Sequence, residues 1–471
     1  MANLKVSQEV DLGLGGIDGS VEYRVIKGGG TYKQSYADLF TYINNNVTLQ
    51  LVLDNDHDLV SGITLIGTSA GNGQIGVEVT FIGTQAGNSS NGDNVIGIGY
   101  QAASANQGES VIALGTDANN ANTGDNTIGI GFKALYGNTN SNAIGIGNQS
   151  GLGNTSNNVV FIGNEAGKSN NNAYVIGIGY QAANLNIGTD VVAIGTQAAQ
   201  SNQSPSLIAI GSGAGVNNSG QEVIGIGLSS VSGNTESSVI GIGNNAAVSN
   251  AASQVIAIGE NAARTNQGFN TIAIGQNAAL SNQASNDVIA IGNNAVYNNS
   301  AAFNADIIGI GQSAAYNNQG FADVIAIGNS AAFNNVNSNV TAIGTRAFSG
   351  GVGGGIIAIG QDALAGAVIN NVDVNVIAIG TAAGNVSSVR DCIYIGQNAG
   401  DSNTGRGVVA IGTNAGLTNG LEGQFILSNA SFPSFVDEAT AILNYSGATL
   451  STGCSYLYHD QSDNTVKVYR T

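Results

Sequence analysis

The chain has 471 residues, of which 70 are glycine, 2 proline, 1 methionine and none tryptophan; 42% of it is apolar and only 9% charged. Twelve basic against thirty acidic residues give a formal net charge of −18, which argues against a nucleic-acid partner because phosphate binding draws on Lys and Arg. The low charged fraction with 42% apolar residues argues against disorder, the scarcity of proline and the lack of a G-x-y period argue against collagen, and no segment approaches the roughly 18 apolar residues of a transmembrane helix, so no membrane insertion is expected.

In chain order, residues 1–62 come first and do not repeat. The opening MANLKVSQEVDLGLGG lacks the basic and apolar regions of a secretory leader, so the expectation is synthesis in the cytosol and export, if any, inside an assembly. Val21-Glu22-Tyr23-Arg24-Val25 reads as a strand and Tyr36–Ile43 as a short helix. Asp54-Asn55-Asp56-His57-Asp58 opens like a calcium loop, yet Leu59 and Leu65 stand where that loop needs Gly and Glu. It is read as an acidic turn; no metal or cofactor is expected. The segment is taken as an attachment or cap module.

From residue 63 to 420 a single unit recurs. Gly97-Ile98-Gly99-Tyr100-Gln101-Ala102 matches the G-x-G-x-x-[GA] dinucleotide fingerprint, but Gly99 belongs to a series, Gly67, Gly83, Gly99 and so on to Gly275, in which every step is 16 residues. The series continues with steps of 16 to 20 residues through Gly292, Gly311, Gly328, Gly344, Gly360, Gly380, Gly396 and Gly412, making 22 copies of V-I-[AG]-I-G-x-x-A-[AG]-x-x-N-x-x-x-x. With each series glycine as position zero, position −2 alternates between Ala and Gly, and the fingerprint shows only where it is Gly. A real dinucleotide turn occurs once per domain and opens a helix, for which this unit has no room.

A 16-residue unit suits one coil of a parallel β-solenoid, expected as two short strands and two turns. Position −1 is Ile in every copy but Leu114, and −3 is Ile, Val or Thr; these alternate with period 2 and are expected to fill the coil. Position +3 is Ala except at Ser150 and Ser230. Position +7 is Asn from Asn106 through Asn122, Asn138, Asn154, Asn170, Asn186, Asn202, Asn218, Asn234, Asn250, Asn266 and Asn282 to Asn299, Asn318 and Asn335, returning at Asn403 and Asn419. Stacked copies about 4.8 Å apart are expected to hydrogen-bond as an amide ladder. The remaining strand face, −4 Val with −2 Ala or Gly and the zero Gly, is expected to be an outward apolar stripe at which parallel copies meet. Val255, Ala257, Gly259, Thr271, Ala273 and Gly275 exemplify it, with Cys392 a buried thiol in the same contact.

The segment Asn270-Thr271-Ile272-Ala273-Ile274-Gly275-Gln276-Asn277-Ala278 resembles the N-S-V-A-I-G-x-x-[SA] repeat of trimeric autotransporter adhesin heads, and the likeness covers about Gly62 to Asn419. The resemblance implies a β-roll of three parallel chains around one axis. The sequence shows no leader, heptad stalk or membrane-anchor barrel of that family. Similar repeats occur in fibres of tailed bacteriophages, so the resemblance implies a virion fibre, head or tail, assembled in the host cytoplasm. Its N-terminal module would join a capsid or tail protein and its far end a host-surface glycan or protein. A bacterial trimeric surface adhesin is the alternative.

Residues 421–471 are read as a cap or tip, with Tyr456–Asp460 and Thr465–Tyr469 forming a hairpin around Gln461–Asn464. His57 and His459 are the only histidines, and acidic residues fall at shifting repeat positions, so no catalytic site is expected. An ice-binding solenoid would need ranks of Thr, but Thr68, Thr84, Thr116 and Thr196 at +1 are interrupted by Tyr100, Phe132, Asn148 and Leu228. Tyr297, Tyr316 and Phe333, all at +5, with Phe303 and Phe321 nearby, are candidate surface-binding aromatics or a packed satellite.

Overall fold

The computed structural model describes residues 22–27, 30–35, 62–283, 286–300, 306–319, 323–336, 339–367, 375–388, 390–418, 420, 422–427, 455–460 and 465–470. Tyr36–Ile43, the acidic turn Asp54–Asp58, Phe303, Phe321, Asn419 and Gln461–Asn464 lie outside them. The chain divides into two units, Met1–Asn170 and Asn171–Thr471.

The first unit holds an antiparallel pair, β1 (Glu22–Lys27) with β2 (Gly30–Ser35). It also holds seven short parallel strands: β3 (Thr64–Ile66), β4 (Thr80–Ile82), β5 (Val95–Ile98), β6 (Val111–Leu114), β7 (Ile128–Ile130), β8 (Ala143–Ile146) and β9 (Val159–Ile162). Each pairs with the next in unbroken register, so that Val95 lies beside Val111. The second unit repeats this from β10 (Val175–Ile178) through β24 (Val409–Ile411) and β25 (Phe425–Leu427), and adds the antiparallel hairpin of β26 (Ser455–Asp460) and β27 (Thr465–Arg470), with Tyr456 opposite Tyr469. This is an all-β parallel β-solenoid, with no helix among the described residues. Longer coils keep the register: Val288 pairs with Ile307 and Ile356 with Val376, so extra residues are absorbed in turns rather than strands.

Each coil has one strand, not the expected two. Beyond the zero glycine the chain runs as a turn in which alternate residues are left-handed, as at Gln101, Ala103 and Ala105 with φ of 54°, 52° and 52°. Its amides still stack. Gly99 N, Gln101 N and Ala105 N donate to Ile82, Thr84 and Asn88 of the preceding coil at 2.8, 3.0 and 2.7 Å, while Ala103 N and Gln107 N donate to Ala118 and Asn122 of the next at 2.9 and 2.8 Å. The backbone is thereby satisfied without a second strand.

The zero glycine is a backbone requirement. Gly99 has φ of 134°, and a Cβ there would lie 2.6 Å from the carbonyl oxygen of Gly115 in the next coil. Any side chain would be strained and would push the coils apart. The nucleotide-like fingerprint is thus a product of stacking.

The interior explains the alternation at −2. It is lined by −4 Val, −2 Ala or Gly, +3 Ala, a small +4 residue and +7 Asn, all buried. Where a ring enters at −2, position +4 is glycine. A Cβ on Gly87 would come within 2.3 Å of Phe81, and one on Gly167 or Gly400 within 2.2 Å of Phe161 or Tyr394. Around some large +4 residues −2 is glycine: a Cβ on Gly225 would meet Val231 of its own coil at 2.3 Å, and one on Gly309 would meet Val296 of the preceding coil at 2.5 Å. In these coils volume at one position is traded against its neighbour.

Candidate functional site

The strand faces are the reverse of the expectation. Val255, Ala257, Thr271 and Ala273 are wholly buried inside their own coils, and Thr271 Oγ1 donates to Gly268 O at 2.8 Å. Gly259 and Gly275 sit at the coil corner, stacked on the next glycine. None of these residues forms an outward stripe, so Ala257 and Ala273 are core positions rather than contact positions. Cys392 is likewise internal, with Sγ 3.1 Å from Arg390 O and accepting Val408 N at 3.3 Å. The physical reason is thickness. The turn wall packs close on the −2 column, which is Ala or Gly except where glycine at +4 makes room for Leu65 or a ring, so the isoleucine at −1, and −3 with it by alternation, faces out; the −4 site is wider and buries Leu207, Ile307 and Ile356 as well as Val.

The outward face is therefore the −3 and −1 columns. In the second unit Ile176, Ile194, Ile208, Ile226, Ile242, Ile256, Ile258, Ile274, Ile291, Ile325, Ile357, Ile379 and Ile395 are each 36–39% exposed, and both columns are Ile, Val or Thr throughout β10–β24. The first unit shows the same face at Ile66, Ile96, Ile98 and Ile162. A continuous uncharged apolar surface of this kind exceeds what a monomer ordinarily leaves in water.

The +7 asparagines form ladders, one described in each unit. Asn122 Nδ2 donates to Asn106 Oδ1 at 2.8 Å, Asn138 to Asn122 at 2.7 Å, Asn154 to Asn138 at 2.8 Å and Asn170 to Asn154 at 3.2 Å. In the second unit the chain of bonds runs from Asn186 through Asn202, Asn218, Asn234, Asn250, Asn266 and Asn282 to Asn299, Asn318 and Asn335 at 2.7–3.2 Å. Along most of the ladder the second amide hydrogen reaches the carbonyl two residues on, as from Asn250 to Ala252 O at 2.6 Å. A buried amide so placed spends both hydrogens and an acceptor on defined partners, which is what burial requires. This ladder is structural, since its polar atoms are committed within the fold.

A second ladder was overlooked in the sequence. Asn245 donates to Asn261 at 3.3 Å, Asn261 to Asn277 at 3.1 Å and Asn277 to Asn294 at 2.9 Å, all at position +2. The recurrence of Asn at +2 was visible, but without the fold nothing distinguished it from ordinary turn composition. Farther on, the same column holds an ion pair, Arg346 Nε to Asp362 Oδ1 at 2.6 Å and Nη2 to Oδ2 at 2.8 Å.

Tyr297, Tyr316 and Phe333 stack on one another, with centroids 4.9 and 5.0 Å apart and planes within 4° and 11°. Tyr316 is sandwiched with both faces covered, while Tyr297 and Phe333 each give one face to the stack. The neighbouring Asn298, Asn317 and Asn334 bond in line at 2.9 and 3.2 Å. The three rings and the three amides thus form two parallel columns along successive coils.

One buried polar cluster stands in the second unit. Tyr394 is enclosed, its hydroxyl accepts from Asn403 Nδ2, and burial, with the Cys392 thiol beside it, pushes that hydroxyl well above its ordinary pKa. It stays protonated and serves as a structural partner. Among the described residues there is no group of three His, Cys, Asp or Glu placed to hold a metal ion. In comparisons with known proteins the chain matches no family model, no curated protein and no solved structure.

Proposed function

We propose that the chain is a non-enzymatic structural fibre of a tailed-bacteriophage virion, head or tail, built as a homotrimer of parallel solenoids and projecting a tip for host-surface adhesion. The observation that carries this reading is the uniformity of the repeat. Coil after coil presents the same backbone, the same internal amide and the same uncharged outer columns. Such a chain offers stiffness and length, while recognition is left to whatever does not repeat. Residues 1–62 are assigned to particle attachment and residues 421–471 to the distal end. The reading also draws on the adhesin-head resemblance of Asn270–Ala278.

The ice-binding alternative is less well supported, because the outward strand ranks are isoleucine rather than threonine. The test is localisation. Antibodies against the repeat should decorate purified phage particles, and a chain lacking residues 1–62 should fold yet fail to join them. Labelling confined to a bacterial cell surface would favour the adhesin alternative and reject the virion assignment.

A further inference from the structure

We infer that the paired isoleucine columns at −3 and −1 are the surface by which copies of this chain associate, side by side and parallel. The inference deepens the fibre reading by naming its contact, and is tested in solution without any particle.

Three observations converge on a second copy as the occupant. The first is area. Fifteen strands, β10–β24, carry two outward positions each. At roughly 60 Å² of exposed surface per position they offer on the order of 1,800 Å², against about 800 Å² per partner in a specific stable interface and 300–600 Å² for the largest patch of a typical monomer. The second is chemistry. No charged residue interrupts either column in 22 coils, although 30 acidic residues are spread along the chain. Water-facing strand positions would carry polar residues by default. The third is translational match. The columns repeat once per coil at the strand spacing of about 4.8 Å, so side chains of a partner with the same spacing interdigitate along the whole length. A partner without that period would match over a few coils only. A second copy has the period by construction, and like residues then meet like residues about a symmetry axis.

A consequence concerns register. Sliding one copy past another by a coil replaces isoleucine with isoleucine, so this face holds the copies together without specifying which coils are level.

The experiment uses the full-length chain. Light scattering of the purified protein should give an oligomer. The triple variant Ile240→Lys/Ile256→Lys/Ile272→Lys should weaken association at least tenfold, placing three charges per chain on the face. Because lysine could perturb folding, Ile240→Thr/Ile256→Thr/Ile272→Thr is the companion: Thr stands at the same position at Thr64, Thr80 and Thr341, so the coil accepts it. It should lower association with an unchanged circular dichroism spectrum. In a Cys392→Val/Cys454→Ser background, Ile256→Cys should form disulfide-linked dimers on oxidation, and Ser249→Cys, on the exposed turn, should not. A monomeric wild-type chain, or association unchanged in both triple variants, overturns the proposal. A monomeric chain would also end the homotrimer part of the fibre reading but not the virion assignment, which is judged by localisation; association unchanged in both triple variants would end only the choice of face, and a folded oligomer found away from particles would end the virion assignment alone.

Discussion

Two stretches of the second unit share a backbone and differ in what fills it. From Asn186 to Asn335 every coil places an asparagine at +7, and the interior is otherwise alanine and valine with few larger side chains. From Gly344 to Ser387 the ladder is interrupted. Position +7 becomes Gly351, Ala367 and Ser387, and Phe348, Leu364 and Tyr394 take up the volume. Gly351 yields to Phe348, whose ring a Cβ there would approach within 2.3 Å. When asparagine returns at Asn403 its neighbour at +7 is Ser387, and its amide turns instead to the Tyr394 hydroxyl and Gly405 O. The contrast teaches that a buried amide in a solenoid belongs to a column. Each copy is satisfied by the copies above and below, so the column either continues or is replaced by apolar volume.

The comparison breaks most completely where both stretches depend on the same feature. Gly243→Ala and Gly360→Ala should each destabilise by about 4 kcal/mol, combining left-handed strain with backbone overlap. A Cβ would lie 2.5 Å from the next glycine's oxygen in either case. Chemical denaturation followed by circular dichroism should show equal losses; a tolerated Ala in one stretch would mean that its coils are not closely stacked.

Next comes the ladder itself. Asn250→Ala removes a donor to Asn234 and an acceptor for Asn266, bonds of 2.9 and 3.2 Å. It should cost about 3 kcal/mol because buried partners are left unpaired, whereas Asn403→Ala should cost about 1 kcal/mol. Equal costs would remove the distinction between an amide bonded to the asparagine of the preceding coil and one bonded to Tyr394. Smaller again, Tyr394→Phe should lose about 1 kcal/mol, and its effect should be non-additive with Asn403→Ala in a double-mutant cycle.

The smallest effect separates the two stretches by pH. At +2 the first carries amides from Asn245 to Asn294, and the second carries Arg346 with Asp362. The hydrogen bond from Arg346 holds the Asp362 carboxyl below its usual range, against a burial effect that would raise it. Its folded pKa is thus below its unfolded one, so its contribution is present above the unfolded pKa and lost as pH falls through the folded value. Burial pushes Asp401 the other way, so its ionisation opposes folding and that penalty disappears in acid. Asp362→Asn should flatten part of the acid loss seen by thermal melts, and Asp401→Asn should slightly raise stability at neutral pH. Both shifts should shrink or vanish if these carboxyls are freely solvated.

Much of this was legible in the residues. The period at the series glycines, the parallel stacking of coils within each unit and the asparagine column at +7 all follow from counting, because a repeat short enough to be one coil leaves few ways to satisfy its backbone. The hairpin of β26 and β27 was legible from alternation around a polar turn. The second strand was misread because the turn wall keeps its hydrogen bonds while alternating handedness, a conformation that composition does not announce. The pairing of Phe81 with Gly87, or of Gly225 with Val231, was on the page as letters six residues apart, but carried no meaning until the coil brought them together.

By itself the sequence determined that the chain coils, where the strand of each coil falls and that the +7 amides stack, since these depend only on position within the period. Which strand face looks inward was decided by the tertiary structure. Val255 and Ile256 are both β-branched and apolar, and alternation says only that they point to opposite sides. Packing against the turn wall settles the choice: the wall closes on the −2 column, where Ala257 fits, so Ile256 and Ile258 face out, although the wider −4 site that holds Val255 buries Ile307 and Ile356 in other coils.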